Sequence, residues 1–193
     1  HLWFLSNIFL YVLVLLPLFH YFINHPDNII FRLVSYVIRK PLGVIFIFAL
    51  PLMIEAVLVN PDTYAAFALD PIHGLLVGMI CFLGGFVFVS LKGQFWDSVK
   101  KAKLVTLVLA LSLYLVRVDI LAPSLDSTLL APFESTSWML SAFGFGATYL
   151  NRPSNLLAYL SSAVYPIYIV HMPVQFFCAS IIFPLSTPVF VKF

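Results

Sequence analysis

Apolar positions in this chain run in long blocks broken by short polar loops, a pattern of membrane-crossing helices rather than of strands with alternating faces. A hydrocarbon core of ~30 Å needs roughly 20 mainly apolar residues to cross it. Six segments meet that need: Leu2–Phe22, Leu42–Val59, Ile72–Leu91, Leu104–Leu121, Phe133–Leu150 and Ala163–Pro184. Arg117 and Asp119 intrude on the fourth, and Glu134, Ser135, Thr136 and Ser137 open the fifth. The expected fold is all-α, a polytopic membrane protein with about six transmembrane helices in one membrane domain over residues 1–193. Between the third and fourth segments, residues 92–103 (KGQFWDSVKKAK) predict a short interfacial helix whose Phe95, Trp96 and Val99 dip into the headgroups.

The last segment carries a histidine in an otherwise uncharged run. On a helix, Tyr168, His171, Gln175 and Cys178 share one face, while Ile167, Ile169, Val170, Phe176 and Phe177 cover the rest. A polar stripe in hydrocarbon is costly and faces protein or water. Pro166 and Pro173 each remove a backbone donor and free a carbonyl. The stripe is therefore read as a site wall, with a hydrogen-bonded packing histidine as the alternative.

Loop charges alternate. Arg32, Arg39 and Lys40 follow the first segment, Lys92, Lys100, Lys101 and Lys103 follow the third, and Arg152 follows the fifth. The intervening loops carry Asp62 and Asp70 after the second segment and Asp119 and Asp126 after the fourth, with Glu134 close by. The basic loops are expected in the cytoplasm, so the first helix runs from outside to inside. That orientation gathers His1, Glu55, His73, Arg117 and Glu134 toward the outer leaflet. Mid-membrane charge costs at least ~3 kcal/mol, so Glu55 and Arg117 need partners or the interface. Gly74 and Gly78, four residues apart, predict close helix packing.

Composition agrees with the pattern: 62% of residues are hydrophobic, 9% are charged, and 20 of the 193 are Phe. Soluble domains have about a quarter charged residues. The two cysteines, Cys81 and Cys178, both lie in apolar runs, which indicates neither a disulfide framework nor a metal site. A net charge of +2 gives no sign of nucleic-acid binding. The chain opens at His1 inside an apolar run without a charged leader, and we expect it to be a piece of a longer protein.

Two motifs resemble one family. The opening HLWFLSNIFLYVLVLLPLF is similar to the "HLWFL" helix of the acyltransferase 3 family, multi-spanning bacterial O-acyltransferases that include the glucan-succinylating type. The closing GATYLNRPSNLLAYLSSAVYPIYIVHMPV resembles that family's "YLNRPS…LxYLSxAVYPxYIxH" segment. ALPLMIEAVL and GQFWDSVKKAKLVTLVLAL are similar to intervening helices in position and character. The resemblance implies about ten spans, with three before this stretch and one beginning at Val189–Phe193. It also implies that the family's main catalytic histidine lies in an earlier span.

The resemblance further implies transfer of an acyl group from a cytoplasmic-side donor of the acyl-coenzyme A type to a hydroxyl of an extracytoplasmic glycan or similar acceptor, in an inner (plasma) membrane, without a bound cofactor or metal. Such chemistry needs a base for the hydroxyl and donors for the oxyanion. The candidate catalytic residues are His171, Tyr168 and His1. The candidate substrate-binding residues are Trp3, Gln175, Glu55, Arg117 and Glu134. Lipid bilayer, donor and hydroxyl acceptor are the expected partners. The lysines of residues 92–103 are surface anchors or attract the donor's phosphates, and Asn151, Arg152 and Pro153 read as a helix stop. The rival reading is a transporter, for which buried polar residues are equally expected.

Overall fold

The computed structural model describes residues 3–40, 42–61, 64, 70–117 and 130–183, with side chains from residue 5 onward. Among them are seven α-helices and no strand: α1 (Trp3–Asn24), α2 (Ile29–Ile38), α3 (Gly43–Val59), α4 (Pro71–Leu91), α5 (Gly93–Leu115), α6 (Leu130–Phe145), which runs on as a π-helical turn over Gly146–Leu150, and α7 (Asn155–Ile182). The chain divides into two compact units, Leu2–Asn151 and Arg152–Phe193.

The helix starts follow local chemistry. The Asn28 side chain accepts from the Phe31 amide to start α2, and Asp70 accepts from the Ile72 and His73 amides with Pro71 in the first turn of α4. Ser154 caps α7 through the Leu157 amide. The helical run before it ends at Leu150, so the expected stop at Asn151–Pro153 is present.

Among the described residues, three helices are long and apolar enough to cross a membrane: Leu5–Asn24 within α1, then α4, then α7. The chain is thus a helical membrane protein. The other three expected spans take different forms. α3 has 17 residues, about 26 Å of helix. α6 has 16 before its π-helical turn. α5 carries Asp97, Lys100, Lys101 and Lys103 in its first half.

The interfacial helix expected at residues 92–103 is not separate, because it forms the first half of the continuous α5. Its apolar side chains explain the difference. Phe95 and Val99 are fully buried, packed with Ile38, Val44, Ile45, Ala49 and Leu140 in the core of the first unit. Phe95 stacks on Phe88 of α4 with centroids 3.7 Å apart. Burial against protein outcompetes the headgroup region, and the helix has no reason to break. Lys103 is likewise no plain surface anchor, since its Nζ donates to Thr148 Oγ1 at 3.1 Å and sits 4.5 Å over the Tyr149 ring.

Close helix approach depends on glycine at several places, Gly144 and Gly78 among them. A Cβ on Gly144 of α6 would meet Lys103 Cβ at 2.6 Å and the Val99 carbonyl oxygen at 2.8 Å, so α5 and α6 pack backbone to backbone there. Gly78 of α4 leaves room for the Tyr11 hydroxyl of α1, which gives the expected small-residue face its occupant.

Candidate functional site

The polar residues of the first unit that sequence places toward one leaflet meet at one end of its helices. Glu55 stands in the last turns of α3, His73 in the first turn of α4, Arg117 two residues past α5 and Glu134 in the first turns of α6. α3 presents Val44, Phe48, Leu52, Glu55 and Ala56 on its buried face, the i, i+4 and i+7 positions of a helix. Glu55 therefore enters the protein because the face it belongs to is the packed one.

Two ion pairs result. His73 Nδ1 lies 2.8 Å from Glu55 Oε1, with the residues 0% and 5% exposed. Arg117 grips Glu134 with two donors, Nε to Oε2 at 2.7 Å and Nη2 to Oε1 at 3.0 Å. This bidentate fork is the strongest geometry available to a carboxylate. It also answers the question of what neutralises an arginine and a glutamate in largely apolar helices.

The His73 ring is held on both sides. Nε2 lies 3.0 Å from the carbonyl oxygen of Tyr64, which can only accept, so Nε2 carries a proton in this arrangement. One further proton is shared between Nδ1 and Glu55. An arrangement with Nδ1–H donating to Glu55 and an open Nε2 lone pair, the geometry of a histidine oriented by a carboxylate, has one proton fewer and requires that Nε2 give its proton to solvent and leave the Tyr64 carbonyl. The Tyr64 ring packs edge-on to the His73 ring at 5.1 Å. Burial, and then the Glu55 charge, push its phenol up to about 12, so Tyr64 is a neutral hydroxyl.

These groups edge a cavity of about 560 Å³, within the usual range of small-molecule sites. Tyr64, His73, Arg117, Glu134 and Thr136 form its polar end, and Phe48, Leu52, Val77, Phe88, Trp138 and Phe143 its apolar walls. Among the described residues, Thr136 Oγ1 is buried without a hydrogen-bond partner, as is Glu55 Oε2 behind the wall. A second cavity of about 730 Å³ lies at the opposite end of α3, lined by Arg39, Lys40 and Lys101 against Asp97. Phe88, a wall of the first cavity, stacks on Phe95, whose neighbour Gln94 and next-turn Ser98 line the second.

Of the candidates chosen from sequence, Glu55, Arg117 and Glu134 come together here. Tyr168, His171 and Gln175 belong to α7 in the second unit, where the His171 ring hydrogen-bonds through Nδ1 to the Tyr168 carbonyl of its own helix and the two rings lie 5.6 Å apart. Pro166 and Pro173 are both accommodated inside that helix. His1 lies outside the described residues, and Trp3 opens α1. Sequence reasoning placed His73 in the right layer but not in the site. The available signal was an acid and a histidine of neighbouring spans, each near the same connecting loop. Tyr64, Thr136 and Trp138 gave no signal.

No group of His, Cys, Asp and Glu that would hold a metal occurs among the described residues. No family model, curated protein or solved structure matches the chain.

Proposed function

We propose that this chain belongs to a membrane-embedded O-acyltransferase, with its chemistry at the Glu55–His73 end of the first unit. The reading rests on the motif resemblance together with one observation: a fully buried histidine, paired at 2.8 Å with a carboxylate, in the wall of a cavity that also holds a clamped arginine. In this reading His73 takes the proton of the acceptor hydroxyl as its oxygen attacks the acyl carbonyl. Glu55 orients the ring and stabilises the imidazolium, and Arg117 and Thr136 face the oxyanion. The proton then passes to the leaving thiolate of the donor.

The basic second cavity supports a phosphate-bearing, acyl-coenzyme A type donor on the side of Arg39, Lys40 and Lys101. The hydroxyl acceptor, a glycan or similar molecule, is then placed on the opposite side. Six spans of a bundle of about ten, a cytoplasmic basic face and residence in an inner membrane complete the proposal.

The test uses membranes containing the natural protein that carries this sequence, given radiolabelled acyl-coenzyme A and a hydroxyl-bearing glycan. Label is expected in the glycan, and His73→Gln is expected to lower transfer per folded molecule by about 10² or more. Loss of transfer in His171→Gln with His73→Gln unaffected would move the chemistry to α7. Absence of transfer by the wild type, with flux of a solute across the membrane instead, would establish the transporter reading.

A further inference from the structure

The first cavity has two unlike ends. Its polar groups cluster at the first turn of α4, whereas Gly85 and Phe88 on the same helix continue its wall. His73 to Phe88 is 15 residues, about 22 Å of helix, against ~15 Å for the hydrocarbon of one leaflet. Phe48 meets Phe88 at 4.0 Å between ring centroids, and Phe95 backs that contact, so aromatic rings line the far end. A cavity of this form fits one extended hydrocarbon chain, not a short acyl group alone.

The polar end specifies the head. Its charges are already matched, Glu55 with His73 and Arg117 with Glu134. A charged head brought among them would be desolvated beside groups of its own sign, and an uncharged one would not. Thr136, 2% exposed, lines the cavity with a hydroxyl that has no partner among the described residues. An unmet buried hydroxyl is costly, and a carbonyl or hydroxyl on the ligand would satisfy it.

We propose that the cavity binds a single-chain amphiphile with an uncharged, hydrogen-bonding head, of the monoacylglycerol type, with the head at Thr136 and the chain along α4 toward Phe88. This rests on the cavity alone and holds whether or not the site transfers acyl groups.

Gly85 supplies the decisive variant. A Cβ there meets nothing within 4 Å, so the side chain of Gly85→Leu starts in open space on the cavity wall, and leaving glycine favours the helix. The experiment measures equilibrium binding of radiolabelled monopalmitin, monodecanoin and palmitate to the full protein in phospholipid nanodiscs, with thermal stability as the folding control. Saturable, one-to-one binding of monopalmitin is expected, tighter than that of monodecanoin. Gly85→Leu is expected to reverse that chain-length preference by about tenfold, and Thr136→Val to weaken monopalmitin by about tenfold, the scale of one hydrogen bond. Non-saturable partitioning equal in wild type and Gly85→Leu would overturn the site. Palmitate binding at alkaline pH as tightly as monopalmitin would overturn the uncharged head. Gly85→Leu decides the matter even if Thr136→Val fails to fold.

Discussion

Glu55 and His73, 18 positions apart and on antiparallel helices, make a 2.8 Å ion pair that water hardly reaches. Each is tolerated in an apolar helix because of the other. Removing one partner leaves an uncompensated buried group, a loss of about 3 kcal/mol or more, whereas removing both with apolar residues of similar size costs far less. Glu55→Leu and His73→Leu singly are expected to lower the melting temperature in detergent markedly, and the double variant to recover much of the loss. Additive losses in that cycle would show that the pair is not coupled.

Arg117 and Glu134 differ in exposure: the arginine side chain is 40% exposed and the glutamate 8%. The arginine is the replaceable partner and the glutamate the dependent one. Arg117→Lys keeps the charge but loses the fork. Discounted for solvent screening, its cost is about 1 kcal/mol, and combining Glu134→Gln with Arg117→Lys should add little. A larger loss in Arg117→Lys than in Arg117→Ala would contradict the geometry.

At Gly144 the nearest atoms to an added Cβ include the Val99 backbone oxygen at 2.8 Å, which cannot swing aside. Gly144→Ala is expected to cost about 1 to 3 kcal/mol by forcing α5 and α6 apart. Gly146, where a Cβ meets nothing within 4 Å, serves as the control, and Gly146→Ala should be neutral or stabilising. Chemical denaturation in mixed micelles separates the two.

Lys92 joins α4 to α5 with φ 49° and ψ −124°, a conformation that L-residues rarely adopt. Lys92→Gly should therefore stabilise the protein by about 1 kcal/mol, because the strain of the side chain is removed. An unchanged or lowered melting temperature would mean that the lysine makes a compensating contact.

The sequence by itself determined the class of this protein. Long apolar runs with 9% charged residues permit helices in a bilayer and little else. Asp70–Pro71 and Ser154 cap their helices by local chemistry, but the apolar run alone puts the start of the last helix at Ala163, inside α7. The layer of Glu55, His73, Arg117 and Glu134 was legible because the ends of consecutive antiparallel helices fall at the same depth. Which of these pair was not legible, because hydrogen bonds of 2.7 to 3.0 Å depend on the rotation of each helix about its axis, and that rotation is set by side-chain packing. The same packing decided that Phe95 and Val99 face protein rather than lipid, turning an expected interfacial helix into half of α5. It also decided that Thr136 is enclosed, for a hydroxyl on a helix is polar in any sequence and orphaned only where its neighbours close around it.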